Sequence, residues 1–181
     1  MKYRTVLVFL LVSLLLCACS SKQMEKSDSD LSDEERPSML LHNAVYSLST
    51  GKAEPITVHA STISLDDKSK KATLVGVTFF QKDEAGTEEL SGKADRATAN
   101  LESLDAVLEG NITISKKKDR FTIEAQKIIW DNGDETISSA DSGEVFITFD
   151  GKNTILSRGF FGNLKSGTYE FQTIEQGVIR L

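Results

Sequence analysis

The sequence predicts an all-β domain made of one bent antiparallel sheet, and three observations carry that expectation. From Ser38 onward no apolar i, i+3, i+4 run occurs, and short stretches rich in Val, Ile, Thr, Phe and Tyr alternate with Asp, Asn, Gly, Lys and Ser clusters, as strands alternate with turns. Glycines recur at Gly76, Gly110, Gly143 and Gly177, spaced by 34, 33 and 34 residues. Upstream of each lies a small residue, Ala60, Ala94, Ala125 and Gly159, so the domain divides into four related units.

The segment that precedes them is an address. Lys2 and Arg4 come before the apolar run from Val6 to Leu16, which is too short and too abruptly followed by small residues to be read first as a membrane-spanning helix. Residues 1–18 are therefore expected to be a secretory signal. Its end, Leu16-Cys17-Ala18-Cys19-Ser20, resembles a bacterial lipobox, in which Cys19 would receive the lipid and become the new N-terminus. An uncleaved anchor helix is the other reading. Residues 19–37 follow as a tether: Ser20 to Pro37 holds five Ser, six acids and three bases around Met24 and Leu31, too little apolar surface to offset ordering entropy. As a flexible coil its span is about 23 Å. The folded domain is expected over 38–181.

Within that domain the first unit reads Val58-x-Ala60-x-x-Ile63-x-Leu65 and the third Ile123-x-Ala125-x-x-Ile128-x-Trp130. Strict alternation would send Val58 and Ile63 to opposite faces, so the two-residue gap implies a bulge or corner that bends the strand while one lining stays apolar. The second unit, around Ala94, Ala97 and Ala99, carries smaller side chains, and the fourth, around Gly159 and Gly162, is degenerate. After each glycine, alternation places Thr78 and Phe80, Ile112 and Ile114, Val145 and Ile147, and Ile179 and Leu181 on one face.

Turn clusters separate these runs at Asp66 to Lys70, Lys82 to Gly86, Lys116 to Asp119, Asp131 to Asp134, Asp150 to Asn153 and Asn163 to Gly167. Consecutive strands joined by short turns form antiparallel hairpins. Four two-stranded units plus an N-terminal pair around Leu40 to Leu48 give roughly nine to ten strands. The inward set is Val58, Ile63, Leu65, Phe80, Ile112, Ile114, Ile123, Ile128, Trp130, Val145 and Ile147. In a closed sandwich these residues are a core; in an open trough they line a groove that can hold an acyl chain, at roughly 25 cal/mol per Å² of apolar area covered.

Leu40-Leu41-His42-Asn43-Ala44-Val45-Tyr46, Ile56-Thr57-Val58-His59-Ala60, Leu74-Val75-Gly76-Val77, Gly110-Asn111-Ile112-Thr113-Ile114, Tyr169-Glu170-Phe171 and Gly177-Val178-Ile179 resemble the periplasmic LptC family of lipopolysaccharide-export bridge proteins and the related LptA/OstA-like domains. The resemblance implies an elongated, twisted, V-shaped β-jellyroll with an open apolar groove. It also implies a non-enzymatic module that accepts lipopolysaccharide or a similar glycolipid from an inner-membrane ABC transporter and hands it to an LptA-like bridge protein. Strand addition would use the edges marked by Leu41, Ala44 and Tyr46 at one end and Val178, Ile179 and Leu181 at the other. The chain departs from the family where a transmembrane helix is common and a lipobox stands instead. The periplasmic side of the inner membrane is what the family implies for the anchor, and the outer membrane stays open as an alternative.

Other functions are excluded or demoted by composition. Without Lys2 and Arg4, the 21 basic residues fall to 19 against 27 acids, a net charge of −8 that argues against a nucleic-acid partner. Cys17 and Cys19 are the two cysteines, so the folded part has no disulfide, zinc-thiolate site or cysteine nucleophile. His42 and His59 lack the spaced partners that metal or acid-base chemistry needs. Asp66, Asp67, Asp131 and Asp134 belong to turns, and Lys116-Lys117-Lys118 to a hairpin tip. No G-x-S-x-G, P-loop or H-E-x-x-H occurs, and no cofactor or metal is expected. The competing function is a structural or adhesive envelope lipoprotein with a closed β-domain.

Overall fold

The computed structural model describes residues 37–49, 54–118, 120–140, 143–163 and 165–180. The chain divides into two units, Met1–Glu35 and Arg36–Leu181, and everything described lies in the second. Cys19, the signal and most of the tether fall outside the described residues.

Ten antiparallel strands follow one another: β1 (Met39–Leu48), β2 (Ile56–Asp66), β3 (Lys71–Lys82), β4 (Glu88–Asn100), β5 (Ala106–Lys116), β6 (Phe121–Asp131), β7 (Thr136–Ser139), β8 (Glu144–Phe149), β9 (Asn153–Asn163) and β10 (Thr168–Val178). They form one sheet in the order β1-β2-β3-β4-β5-β6-β7-β9-β10, with β8 pairing β6 and β9. Strands β7 and β8 thus share one place in the sheet, β7 against Ile128 to Asp131 and β8 against Thr122 to Ala125. The all-β meander of hairpins is as the sequence predicts. Residues Leu40 to Leu48 belong to a single strand.

All six expected turns lie between strands, and the sequence reading lacked the three connections after β1, β4 and β7, of which the one between β4 and β5 is ordered by side-chain bonds. There Asn100 Oδ1 accepts the backbone N–H groups of Glu102 (2.8 Å) and Ser103 (3.0 Å), an Asx-type turn. Asp105, whose carboxylate accepts from Ser103 Oγ (2.6 Å) and Asn132 N (2.9 Å), ties this turn to the one after β6. Those bonds hold its carboxyl below the usual aspartate range, the Ser103 bond most.

The expected corner is present, and it crosses the sheet. Inward residues step by three at Leu41 and Ala44, Ala60 and Ile63, Leu74 and Val77, Ala94 and Ala97, and Ala125 and Ile128, where period two would demand a step of two or four. On β2 and β3 the ladder breaks without changing register, His59 facing Thr78 and Thr62 facing Val75. On β5 the register shifts between Glu109 and Ile112, because Gly110 and Asn111 both adopt positive φ (76° and 44°) and insert one extra residue. This difference corrects one assignment. After Gly110 the second and fourth residues, Ile112 and Ile114, face inward; after Gly76, which adds no extra residue, the first and third do. Phe79 therefore packs in the interior, while Phe80 lies on the outer face with its ring 5.9 Å from that of His59. In the fourth unit the corner is made by Gly159 (φ 67°), and Gly177 pairs with Ile155 beyond it.

The corner folds the sheet over. Tyr169 shares a cross-strand rung with Gly162, Ile137 and Trp130, and Phe121 lies nine residues from Trp130 along β6, about 30 Å on a straight strand. Yet the Phe121 and Tyr169 rings stack with centroids 5.3 Å apart. Two limbs of one sheet must therefore face each other, with their apolar sides inward, as a jellyroll requires. Phe160 continues the stack to Tyr169 (6.2 Å) and Phe171 (5.6 Å).

Two predictions follow from the corner. A Cβ at Gly110 would strain the positive φ and stand 2.9 Å from Asp95 Cβ. Gly110→Ala should thus lower urea-denaturation stability by at least about 2 kcal/mol, against about 1 kcal/mol for Gly167→Ala, whose φ is also positive but whose surroundings are open. Phe79→Ala should cost about 2–3 kcal/mol in the same assay and Phe80→Ala less than about 1 kcal/mol; the reverse ranking would restore the original assignment.

Candidate functional site

The inner face is apolar along most of its rungs, read strand by strand from the register. One rung runs Tyr46, Val58, Phe79, Gly92, Ile114, Ile123, Ile147, Ile155. Across the corner a second runs Leu41, Ile63, Leu74, Ala97, Leu108, Ile128. The third runs Met39, Leu65, Ala72, Ala99, Ala106, Trp130, Ile137. Directly opposed residues in an antiparallel ladder share a face, so one hydrocarbon lining extends from one edge of the sheet toward the other.

Ten of the eleven expected inward residues lie on this face, Phe80 being the exception, and Trp130 occupies the same rung as Leu65. The lining is not uniform. Toward β5–β9 it is dense, with Ile128 and Val145 fully buried. Toward β2–β4 it is thinner, alanine-rich at Ala60, Ala72 and Ala97, with Val58, Leu65 and Phe79 partly buried. Leu108 packs against both clusters. At Gly92 the absent side chain makes room for Phe79: a Cβ there would stand 2.8 Å from Phe79 Cε1 and 2.8 Å from the Thr113 carbonyl. Leu74 and Ile137 escaped the sequence reading because they lie outside the stretches compared between units, around each small residue and after each glycine, and Phe160 because the fourth unit looked degenerate.

At both edges the inner face is uncovered. Met39 and Tyr46 on β1 are 52% and 48% exposed, and Tyr169 and Ile174 on β10 are 41% and 57% exposed. Strands β1 and β10 do not pair, so the seam between them is open and each presents a free row of backbone groups. Of the twelve exposed large apolar residues among those described, eight lie on β1, on β10 or just after it. Stickiness is thus concentrated at the edges. The expected edge residues divide by face: Leu41, Ala44 and Tyr46 point inward with Ile63, Ala60 and Val58. Val178 pairs with Thr154 on the outer side, Ile179 follows the strand exposed, and Leu181 falls outside the described residues.

Charge sits on the outer face. Arg158 of β9 bonds Glu144 of β8 (Nη2 to Oε1, 2.7 Å) and Glu175 of β10 through Nε, clipping the edge strand to its neighbours. The Glu175 bond, then both carboxylate charges, push the guanidinium above its usual pKa. Lys127 pairs Glu109 at 3.0 Å. Among the described residues no group of three or more His, Cys, Asp or Glu is placed to hold a metal, and no helix is long and apolar enough to cross a membrane.

Comparison with known proteins agrees with this geometry. No curated protein matches the chain. Among solved structures it is similar to the crystal structure of LptH, the LptA homologous periplasmic component of the conserved lipopolysaccharide transport device from Pseudomonas aeruginosa. That match has a TM-score of 0.56 at 17% identity and covers 71% of this chain and 96% of that one, a likeness of fold. The family described as lipopolysaccharide-assembly, LptC-related, matches residues 5–178. With nearly the whole length matched, the chain belongs to the LptC-related family of lipopolysaccharide-assembly proteins.

Proposed function

We infer that this non-enzymatic periplasmic protein accepts lipopolysaccharide, or a glycolipid like it, from an inner-membrane ABC transporter and passes it along its inner face to the next bridge domain. The observation that carries this reading is a hydrocarbon lining that runs across the sheet and reaches two unpaired edges uncovered. Strand β1 would dock toward the transporter and β10 toward an LptA-like partner, each by adding its backbone ladder to a neighbouring sheet. An open seam lets the polar head of a glycolipid travel outside while its acyl chains stay within. Acylation of Cys19 would hold the domain within a tether length of the membrane, several acyl chains binding far more firmly than one.

The alternative, a closed structural or adhesive domain, has one observation in its favour: the β5–β9 side is packed to completion, Val145 and Ile128 having no exposed surface. Protease treatment of intact cells separates the two, since loss of the domain would place it outside the cell and count against a periplasmic bridge.

Photo-crosslinking tests the conduit directly. Probes at Ile114 or Ile147, on the inner face, should capture glycolipid in cells. Probes at Thr113 or Thr148, whose rungs hold Glu124 or Thr122 on the outer face, should not. Equal capture by both pairs would remove the groove. For the anchor, Cys19→Ser should abolish incorporation of labelled fatty acid, whereas Cys17→Ser should leave it intact; label retained in Cys19→Ser would place the acyl chain on another residue, and no label in the wild type would assign the anchor to the uncleaved helix.

A further inference from the structure

Ser157 breaks the chemistry of the rung in which it sits. That rung runs Ile112, Ala125, Val145, Ser157, Ile174 across β5, β6, β8, β9 and β10, immediately beside the corner. Four hydrocarbon side chains share the rung with one hydroxyl, Val145 and Ile174 flanking it directly. Ser157 is fully buried, and its Oγ is, among the described residues, the buried side-chain oxygen or nitrogen that has no hydrogen-bond partner. The interior does satisfy such groups elsewhere. Ser139 Oγ accepts the Phe160 N–H (2.9 Å) and donates to the Ala140 carbonyl (3.2 Å), and Asn153 Oδ1 accepts the Arg180 N–H (2.8 Å). A buried hydroxyl left unpaired costs stability that alanine would not.

The cover over Ser157 is interrupted on the edge side. Its neighbour on one side is Val145 of the interior, and on the other Ile174 of the free edge strand, more than half exposed. The β9–β10 register shifts between Ile174 and Gln176, so the ladder is interrupted at this point. On the opposite face the bulged Glu175 is held by Arg158, which also holds Glu144. An outward shift of β10 at Ile174 would uncover the hydroxyl to the groove while leaving the β8–β9 pairing intact.

We propose that Ser157 is a recognition point within the groove for an oxygen borne on the cargo's acyl chain, either a chain hydroxyl or the ester that links the chain to its head. A serine hydroxyl donates to an ester carbonyl, and both donates to and accepts from another hydroxyl. A plain hydrocarbon chain offers neither. This role rests on the groove reading and deepens it: most of the lining would bind any acyl chain, and Ser157 would hold one bearing oxygen in register.

The test uses the full-length protein in nanodiscs and three glycolipids with one photoreactive group: one with a hydroxylated acyl chain, its deoxy counterpart, and an ether-linked version lacking the carbonyl. The wild type should capture the lipid that carries the recognised chain hydroxyl or ester carbonyl roughly five- to tenfold better than the ether-linked one, which has neither, as one added hydrogen bond allows. Preference for hydroxylated over deoxy identifies the chain hydroxyl, and preference for deoxy ester over ether identifies the ester. Ser157→Ala, and Ser157→Cys as a variant closer in volume, should bring the ratio near one with capture of the ether-linked lipid unchanged. Ser157→Ala should also resist urea at least as well as the wild type. Equal capture of all three lipids by the wild type, discrimination kept in both variants, or a marked loss of stability in Ser157→Ala would each overturn the role of Ser157 and leave the groove standing. Failure of the wild type to capture any of them would overturn both.

Discussion

The structure depends on a conflict between two periodicities. A flat strand alternates its side chains every second residue, while the fold needs each strand to turn a corner and still present hydrocarbon to the inside on both limbs. A step of three residues resolves the conflict at Leu41 and Ala44, Ala60 and Ile63, Leu74 and Val77, Ala94 and Ala97, and Ala125 and Ile128. The step works because the positions there are small or take positive φ: alanines at 44, 60, 94, 97 and 125, glycines at 76, 110 and 159, and Asn43 and Asn111. A large side chain at the inside of the bend would hold the limbs apart. The recurrence of this row in successive strands brings Phe121 against Tyr169 and makes one sheet enclose its own lining.

The same constraint explains what could be read from the residues alone. The gap after Ala60 and Ala125, the 33- to 34-residue repeat and the turn clusters were all visible, because each is a local matter of residue type and spacing. The phase of β3 was not. Whether the chain leaves a corner with an added residue depends on the φ of the residue after the glycine, and Val77 after Gly76 and Asn111 after Gly110 behave differently. Asparagine tolerates the left-handed region and valine does not, so the clue was present in residue type, although pattern matching between repeats obscured it. Ser157 was legible only as a polar residue in a degenerate unit; its isolation follows from which strands surround it.

Edges and interior divide the labour. Long strands with apolar side chains and unpaired backbone are a liability in most soluble proteins, and here they stand at both ends of the sheet. The proposed bridge function gives that exposure a use: strand addition at β1 and β10 would join neighbouring domains into one extended sheet, aligning their linings. The clip from Arg158 to Glu144 and Glu175 fits this arrangement, because it fastens the terminal edge strand through its outer face and puts none of these three charges on the inner one.

A densely filled limb is compatible with lipid passage when the exchange of contacts is considered as a whole. Entry of an acyl chain gains about 0.8 kcal/mol for each methylene removed from water, but the chain comes from a membrane or a partner groove in which those methylenes are already covered. The lining side chains likewise trade contacts with each other for contacts with the chain. Neither partner gains or loses much apolar surface, so net binding is weak even though the lining is large. That balance suits a conduit, which must release what it accepts. It also means that a uniform hydrocarbon lining gives the cargo no preferred position along the sheet. In the proposed conduit the thin, alanine-rich side between β2 and β4 would set where chains fit with least displacement, and the filled side between β5 and β9 where they would have to displace Ile128, Val145 and Ile147 to advance.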